Sequence, residues 1–328
     1  MATSNFLPPR LYNGVRLIDR PCPGNVRRID MGAYPLIDMM HNYGIRLDTG
    51  HLARLSAQLS DMMTRRAELI RECIGRAINP ASPLQVANLL FKELKVQGNS
   101  QVKLTDSGGE STSADNLQFY KSAHPVVGHI LDWRQLQKLK TTYADKLPKM
   151  LDSNGRIHTR FKATTTTTGR LSSENPNLQN IPKRGELDGI KLGLEVRKAF
   201  VADPGWVLVS MDLSQIEMRI AAHVSKEPVM IEGYRNPDWD MHTQTAMDVF
   251  GLPRESVDKL KHRLPSKVIG FGVLYLMGPD GLQSAIMDAG GGYWSPDRCE
   301  NLIERFYSTR PMIAKWQKSI ERLGLIQK

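Results

Sequence analysis

The chain has 328 residues, enough for two or three packed units, and its 41% hydrophobic and 24% charged residues are typical of a globular protein. No apolar run is long enough to cross a membrane, and the N-terminal sequence lacks the apolar core of a signal peptide. We therefore expect no membrane partner and a cytoplasmic location. Lysine and arginine total 44 against 34 aspartate and glutamate residues. The net charge of +10 suits a polyanionic partner but is equally compatible with a protein that binds no nucleic acid.

The three cysteines, Cys22, Cys73 and Cys299, are far apart in the sequence and form no CxxC pair. An odd number of widely spaced cysteines predicts free thiols in a reducing compartment. The cysteines therefore give no basis for a structural zinc site.

The first 150 residues are predicted to be mainly helical. After an irregular, proline-containing arm, apolar residues recur at helical spacing, and polar residues that can cap a helix precede two of these segments. In chain order, the predicted elements are an arm over 1–30, a helix capped by Asp48 and Thr49, a capping box at Ser82–Gln85 that opens a helix to Leu94, a loop over 98–115 and a helix over 124–140.

The pattern changes at residue 157. The sequence from there to residue 170 is rich in β-branched residues and alternates, which predicts strands. After a turn signal at residues 203–205, the apolar run Trp206–Met211 predicts a short strand that ends at Asp212, and Ser214 opens a helix. Beyond Glu227 the chain is predicted to be mostly helical again. The outline is a helical module, a sheet-bearing module and a second helical module.

The stretch WVLVSMDLSQIEMRIAAH places two carboxylates at a predicted junction between strand and helix. Asp212 follows the strand, where its oxygens can hold a hard cation such as Mg2+. The alternative is an aspartate that only caps a turn. Glu217 stands three residues after Ser214, so these two residues can also form a capping box that serves the helix alone.

Four residues in HRLPSKVIGFGVLY recur at every fourth position: Arg263, Lys267, Phe271 and Tyr275. On a helix they form a slowly winding stripe about 18 Å long, with two cations followed by two aromatic rings. Such a stripe suits a nucleoside triphosphate, because the cations can meet phosphates and the rings can meet the sugar and a base. An amphipathic helix with core aromatics and solvated charges explains the same pattern.

The stretch TTTTTGRLSSENPNLQNIP is rich in hydrogen-bonding side chains. Its hydroxyl, amide and guanidinium groups are typical donors to phosphates and groove edges. A polar loop without a ligand is the alternative interpretation. The candidate DNA-binding residues in this stretch are Arg170, Asn177, Gln179 and Asn180.

Three of these stretches, TGRLSSENPNLQNIP, DLSQIEMRIAAH and the R-x3-K-x3-FG-x2-Y helix, resemble in this order the signatures of the family A, bacterial polymerase I-like DNA polymerases. The segments MGAYPLIDMMHNYGIRLD, INPASPLQVANLLFKEL, HPVVGHILDWRQLQKLKTTYADKLP and DMHTQTAMDVFG resemble the thumb and early fingers of the same family, so the resemblance extends from about residue 31 to residue 328. It implies an α+β, right-hand polymerase fold with a helical thumb, a partial antiparallel-sheet palm and helical fingers. The implied domains are an N-terminal arm over 1–30, the thumb over 31–150, the first part of the palm over 151–225 and the fingers over 226–328.

The resemblance implies that the chain adds dNTPs to the 3′-hydroxyl of a primer on a DNA template, by phosphoryl transfer with two Mg2+ ions. Asp212 corresponds to the aspartate that binds both ions, and Glu217 to the steric gate against a ribose 2′-hydroxyl. Lys267 corresponds to the residue that aids protonation of the leaving group. The other implied contacts are those of His242, Arg263 and Lys267 with the triphosphate, Phe271 with the incoming sugar, Tyr275 near the template base, Arg170, Gln179 and Asn180 with the groove at the primer terminus, and Lys138, Lys140 and Lys146 of the thumb tip with the duplex backbone.

Three features depart from the family pattern. Pro265 is expected to make the regular fingers helix start near Leu264. Leu276 occupies a position where the family usually has glycine. No His-Asp dipeptide occurs in the chain, whereas the family's second metal-binding aspartate lies in a His-Asp-Glu motif.

The absent motif predicts a second polypeptide that carries the rest of the palm, as in a polymerase split into two chains that reassemble, and a bacteriophage source suits such a protein. Without the second metal-bridging carboxylate, phosphoryl transfer should nearly cease. The alternative function is a catalytically inactive replication scaffold that binds primer–template DNA. RNA-templated or RNA-synthesising activity is a further alternative, against which Glu217 and Phe271 argue.

Overall fold

The computed structural model describes residues 24–96, 109–166, 168–183, 185–289 and 292–322. Two compact units divide the chain, Met1–Val209 and Ser210–Lys328. Helices predominate and the strands form small antiparallel sheets, which confirms the predicted α+β class. Most of the predicted arm, Cys22 and the greater part of the predicted loop over 98–115 lie outside the described residues.

Two long helices, α2 (Thr49–Ile74) and α5 (Pro125–Leu139), pack along each other and organise the first unit. Their buried side chains belong to two apolar clusters, one containing Leu52 and Leu136 and the other Ile70. Removing such side chains from water is the main favourable contribution to folding. The other helices of this unit are α1 (Gly24–Tyr43), α3 (Pro83–Ala87), α4 (Ala114–Gln118) and α6 (Leu192–Lys198), with π-helical turns over Asn88–Glu93 and Lys140–Ala144 and a 3-10 turn over Leu147–Met150.

Of the predicted capping residues, Asp48 and Ser82 cap their helices, whereas Thr49 is the first residue of α2. The Asp48 carboxylate accepts a hydrogen bond from the His51 N–H at 2.8 Å, which satisfies a free amide at the start of α2. Ser82 Oγ accepts from the Gln85 N–H at 3.3 Å at the start of α3. The Gln85 side chain accepts from the Asn79 N–H at 2.8 Å, and the Ser82 N–H instead donates to the Asn79 carbonyl, so the reciprocal half of the capping box is not made.

Five short strands in the described part of the first unit form two antiparallel sheets. The strands are β1 (Ile45–Leu47), β2 (Arg156–Ile157), β3 (Arg160–Lys162), β4 (Ser172–Glu174) and β5 (Phe200–Val201). The larger sheet has the order β2–β1–β5, with Ile45 opposite Ile157 and Leu47 opposite Phe200, and the smaller sheet pairs β3 with β4. The strands predicted after residue 157 are therefore present but short, since residues 163–166 form bends.

The predicted strand over Trp206–Met211 is not formed. These residues have no regular secondary structure, and their apolar side chains are exposed, at 73% for Trp206, 79% for Val207 and 90% for Met211. A strand needs a neighbour to accept and donate its ladder hydrogen bonds, and no described strand pairs with this run. The apolar pattern that predicted a buried strand thus marks an uncovered segment.

The described part of the second unit contains seven helices around one hydrophobic core. Met218, Ile269, Leu282 and Phe306 are core residues that are at most 2% exposed. The helices are α7 (Ile216–Ser225), α8 (Pro228–Arg235), α9 (Met241–Phe250), α10 (Leu264–Leu274), α11 (Pro279–Asp288), α12 (Pro296–Thr309) and α13 (Pro311–Arg322), with a 3-10 turn over Arg254–Ser256 and a π-helical turn over Lys259–Arg263.

A fully buried arginine links three helices of this unit, which the sequence pattern did not indicate. Arg310 lies between α12 and α13 and is 0% exposed. Its Nη2 atom donates to Asp248 Oδ2 at 2.7 Å and to Thr245 Oγ1 at 3.3 Å, both on α9. Burial lowers the pKa of Arg310, and the Asp248 carboxylate opposes this effect. The ion pair therefore joins α9 to the junction of α12 and α13.

Glu227 is a second buried polar residue and makes a comparable link. It is 0% exposed and precedes α8, where its Oε1 atom lies 3.5 Å from the Val229 nitrogen. Its Oε2 atom accepts the Met312 N–H at 2.9 Å, at the start of α13. One carboxyl group thus serves the first turns of two helices that are far apart in the sequence.

Candidate functional site

Asp212 lies in the exposed segment that leads into α7, and its side chain is exposed. α7 begins at Ile216 rather than at Ser214, and its N-cap residue is Gln215, in the left-handed conformation with φ of 53°. The prediction that Ser214 opens this helix is therefore wrong, and so is the alternative of a capping box between Ser214 and Glu217, because Gln215 is the cap residue. Glu217 stands in the first turn of α7.

The basic and aromatic stripe lies along α10. This helix begins at Leu264 with Pro265 in its first turn, which confirms the predicted start. Arg263 is the N-cap residue and the last residue of the preceding π-helical turn, and Tyr275 is the C-cap residue. Of the four stripe residues, only Lys267 and Phe271 thus lie within the regular helix.

α10 ends in a Schellman motif that has leucine where glycine is usual. The Met277 N–H donates to the Gly272 carbonyl at 2.9 Å, and the Leu276 N–H donates to the Val273 carbonyl at 3.1 Å. Leu276 has a φ of 58°, the left-handed conformation that this position requires. Glycine adopts this conformation without steric cost, which gives a physical reason for the glycine of the family pattern.

Arg263 forms a two-pronged ion pair with Asp240. Nε and Nη2 of Arg263 lie 2.8 Å and 3.0 Å from the two carboxylate oxygens, and the arginine side chain remains 38% exposed. Burial acts to raise the pKa of Asp240, but hydrogen bonds from Arg263 and Thr243 outweigh it and hold that pKa well below its usual range. Asp240 also caps α9 through the Thr243 N–H at 2.9 Å. The guanidinium is therefore fixed in place while part of it faces solvent.

His242 is buried against α10, at 5% exposure. Burial lowers the pKa of His242 to about 4, and the positive charges of Arg263 and Lys267 act in the same direction. The imidazole is thus neutral at neutral pH. Its ring centroid lies 5.8 Å from that of Phe271, and its Nδ1 atom has no hydrogen-bond partner among the described residues.

The other three residues of the stripe differ in exposure. Lys267 is exposed, and Phe271 is half-buried against the hydrophobic core of the unit. Tyr275 is 58% exposed, and its Oη atom lies 3.5 Å from Glu217 Oε1, at the outer limit of a hydrogen bond. This contact brings the C-terminal end of α10 to the first turn of α7, where Glu217 lies five residues after Asp212 in the sequence.

In the predicted DNA-binding loop of the first unit, some side chains form hydrogen bonds within the loop itself. Asn177 Oδ1 accepts hydrogen bonds from the Gln179 and Asn180 backbone N–H groups, both at 3.1 Å. The Gln179 side chain donates to the Leu171 carbonyl at 3.0 Å. The side chains of Arg170, Gln179 and Asn180 are exposed. The side chains of Asn177 and Gln179 thus shape the loop, and those of Arg170 and Asn180 are exposed to solvent.

The three lysines of the predicted thumb tip differ in the same way. Lys138 and Lys146 are exposed. Lys140 Nζ instead lies 2.9 Å from Asp145 Oδ2 and 2.6 Å from Ser56 Oγ, with its side chain 24% exposed. Lys140 therefore neutralises a carboxylate of its own unit.

No three His, Cys, Asp or Glu side chains of the described residues come together as a group that could hold a metal ion. In the same residues, no helix has the length and apolar character needed to cross a membrane. Cys73 and Cys299 are free thiols, as predicted. Among the residues that the structure describes, Asp212 therefore belongs to no such group.

Asp240, Glu227 and Arg310 were not predicted from the sequence. Asp240 carried a signal that was available, since an acidic residue three positions before Thr243 at the start of a helical pattern is typical of an N-cap. Glu227 and Arg310 gave no comparable signal. Their partners lie 85 and 62 residues away in the sequence, and charged residues are rarely fully buried.

Comparison with known proteins identifies relatives over most of the chain. The DNA polymerase family A profile matches residues 49–324. The thermostable DNA polymerase I of Thermus caldophilus is 40% identical over 284 residues, covering 86% of this chain and 32% of the relative. The DNA polymerase I of Deinococcus radiodurans is 36% identical over 315 residues, covering 94% of this chain and 30% of the relative. The chain thus spans about a third of the length of these curated relatives.

A solved structure has a similar fold. It is described as the POL domain of Pol1 from M. smegmatis in complex with DNA primer-template and dNTP. The similarity has a TM-score of 0.76 at 32% sequence identity, and it covers 90% of this chain and 51% of that one. Sequence and fold therefore point to the same family.

Proposed function

Since this chain belongs to DNA polymerase family A, we propose that it supplies the thumb, the first part of the palm and the fingers of a template-directed DNA polymerase. Under this proposal, residues 31–150 form the thumb, 151–225 the first part of the palm and 226–328 the fingers, after an N-terminal arm over 1–30. The reaction joins a dNTP to the 3′-hydroxyl of a primer and releases pyrophosphate.

The contact between Tyr275 and Glu217 is the observation that carries this proposal. It brings the aromatic end of α10 within 3.5 Å of a carboxylate that follows Asp212 by five residues. A nucleotide needs its phosphates, its sugar and its reacting oxygen recognised in one place. Cations, aromatic rings and two carboxylates within one compact unit meet that need.

Side chains of α10, of its N-cap residue and of α9 support separate roles toward the triphosphate. Lys267 is exposed and suits a direct phosphate contact and proton donation to the leaving group. Arg263 is oriented by Asp240 and still 38% exposed, so it suits a fixed phosphate clamp. His242 is neutral, so its contact with a phosphate would be a hydrogen bond rather than an ion pair. Phe271 would pack on the incoming sugar.

Asp212 is the residue that we propose holds Mg2+. Its carboxylate is exposed and offers the hard oxygen ligands that this ion prefers, and Mg2+ is usually bound through one or two carboxylates together with substrate phosphates. The ion, when bound, offsets the negative charge of the triphosphate and of the primer oxygen. Glu217 would act on the sugar, where it crowds a ribose 2′-hydroxyl.

We propose that primer–template DNA is contacted by the exposed side chains of the predicted thumb tip and of the predicted DNA-binding loop. Lys138 and Lys146 would meet the duplex backbone, and this contribution should weaken as salt concentration rises. Arg170, Gln179 and Asn180 would meet the groove at the primer terminus. Lys140 and Asn177 would support the binding surface through their internal hydrogen bonds.

The second catalytic carboxylate would come from polypeptide outside residues 1–328, either a continuation of this chain or a separate one. The exposed apolar run from Trp206 to Met211 supports this proposal, because a neighbouring palm strand would cover it and complete its hydrogen bonds. The His-Asp-Glu motif, which residues 1–328 lack, belongs on that added segment.

Primer extension tests the proposed function. We expect the 328-residue chain to extend a primed template with Mg2+ and dNTPs only when a polypeptide carrying the family's palm segment with His-Asp-Glu is added. Asp212→Asn should abolish extension in that mixture, whereas Asp238→Asn, at an exposed position of the same unit, should not. Ribonucleotides should be poor substrates.

Other outcomes point elsewhere. Extension at an ordinary rate by the chain alone would rule out the need for a second carboxylate. Primer–template binding without extension, whichever palm polypeptide is added, would favour the inactive scaffold. Efficient use of ribonucleotides would favour RNA synthesis.

A further inference from the structure

The turn that connects Asp212 to Glu217 is held in an unfavourable backbone conformation. Gln215 has a φ of 53°, a left-handed value that costs energy for a residue with a side chain. Such a conformation persists only when the surroundings enforce it. Contacts to this turn therefore decide where the two carboxylates stand.

Two side chains hold the turn. Tyr234 Oη, on α8, donates to Gln215 Oε1 at 2.9 Å. Arg219 Nε donates to the Ser214 carbonyl at 3.0 Å, and the Arg219 guanidinium lies 4.4 Å above the Tyr234 ring. Burial raises the pKa of Tyr234 to about 12, so the phenol keeps the proton that it donates.

The Tyr234 ring is held in place by Trp239. Its ring meets the Trp239 ring edge-on, with 4.8 Å between centroids. Trp239 packs directly on the backbone of Gly233, where a Cβ atom would clash with the indole. The phenol therefore has little freedom to move away from Gln215.

We propose that Tyr234 is a positioning residue for the polymerase reaction. Through Gln215 it fixes the turn between Asp212 and Glu217, so that one carboxylate meets the metal and the other meets the sugar in a constant relative orientation. Tyr234 itself would touch neither nucleotide nor metal. The inference rests on the proposed function.

Tyr234→Phe removes only the hydroxyl, and the same unit offers a matched control. Tyr307 Oη also donates to a glutamine, Gln317 Oε1, at 2.9 Å, and burial raises the pKa of Tyr307 as well. In the complemented enzyme, we expect Tyr234→Phe to lower kcat/KM for dNTPs about fivefold and to lower discrimination against ribonucleotides by a similar factor. Tyr307→Phe should leave both within about twofold at an equal loss of thermal stability.

Hydrogen exchange provides a readout that needs no activity. In the 328-residue chain, Tyr234→Phe should speed amide exchange in residues 213–217 about fivefold, and Tyr307→Phe should not. Gln215→Leu should reproduce both effects of Tyr234→Phe, and the double variant should be no worse than either single one.

Equal kinetics and equal exchange in the two tyrosine variants would overturn the inference, as would additive losses in the double variant. If the complemented wild-type enzyme extends no primer, the proposed function fails. The exchange measurement would then still decide whether Tyr234 holds the turn.

Discussion

Leu276 occupies a backbone position that the physics of the chain reserves for glycine. The two hydrogen bonds of the Schellman motif fix the path after α10, and that path requires a positive φ at residue 276. A leucine side chain is strained there, and its 45% exposure means that packing recovers little. The chain thus carries a local cost next to Tyr275.

Leu276→Gly should therefore stabilise the second unit. We expect the free energy of unfolding to rise by about 1 kcal/mol, since the left-handed conformation costs glycine nothing. Thermal unfolding of the two proteins measures the difference. Leu276→Ala is the control, because alanine keeps the strain, and an equal gain from alanine would contradict the explanation.

His242 makes stability depend on pH. Its pKa is about 4 in the folded protein against an ordinary value of 6.5, so the unfolded chain binds the proton first as pH falls. Stability should be fully present above pH 6.5 and decline progressively down to about pH 4, by on the order of 2–3 kcal/mol.

Denaturant unfolding at several pH values checks this prediction. His242→Gln should remove most of the slope between the two pKa values, whereas His223→Gln, at an exposed position of the same unit, should not. A slope that survives His242→Gln would assign the pH dependence to other groups.

At the scale of elements, the sequence predicted what depends on near neighbours. Asp48 and Ser82 were recognised as caps because their partners lie three residues away. Pro265 marked the start of α10 for the same reason. The prediction of a strand over Trp206–Met211 is wrong, because strand formation depends on a distant pairing partner and a local apolar pattern cannot reveal that partner.

In the candidate site, too, local features could be predicted from the sequence and contacts between elements could not. The spacing of the stripe on α10 was readable, since helical periodicity is local. That Lys140 would be bound by Asp145 and Ser56, or that Arg263 would pair with Asp240, depends on packing between elements. Side-chain partners across elements are set by tertiary structure, and sequence spacing does not specify them.

The buried ion pair between Arg310 and Asp248 of α9 should contribute far more to the free energy of unfolding than a surface ion pair does. Arg310→Met would leave the Asp248 carboxylate partly buried without its cation, and we expect a loss of about 3–5 kcal/mol. Arg235→Ala removes an ion pair whose side chains are 72% and 75% exposed, and should cost at most about 0.5 kcal/mol. Chemical denaturation compares the two variants, and equal losses would contradict the structural role of Arg310.

On the scale of the whole molecule, the exposed apolar run should make the chain associate with itself. Val207 and Val209 are 79% and 73% exposed, beside the equally exposed Trp206. Replacing both valines by lysine should reduce concentration-dependent association in sedimentation experiments and change the free energy of unfolding by less than about 0.5 kcal/mol.

The same substitutions should interfere with complementation, because charges at this surface oppose burial by a palm strand. Val86→Lys is the contrasting control, since Val86 is 0% exposed and a lysine there should unfold the first unit. Undiminished primer extension by the lysine variants would show that the added segment docks elsewhere.

Glu227 should set an order of events for the growing chain. Its carboxyl group is fully buried; one oxygen caps α8 at the Val229 N–H, but the amide that satisfies the other belongs to Met312, 85 residues later. During synthesis, α8 therefore leaves the ribosome long before the second oxygen of its acidic cap has a partner, and burying that oxygen early is costly. The second unit should consequently remain open until α13 has emerged and then close in one cooperative step, with α8 and α13 committed together.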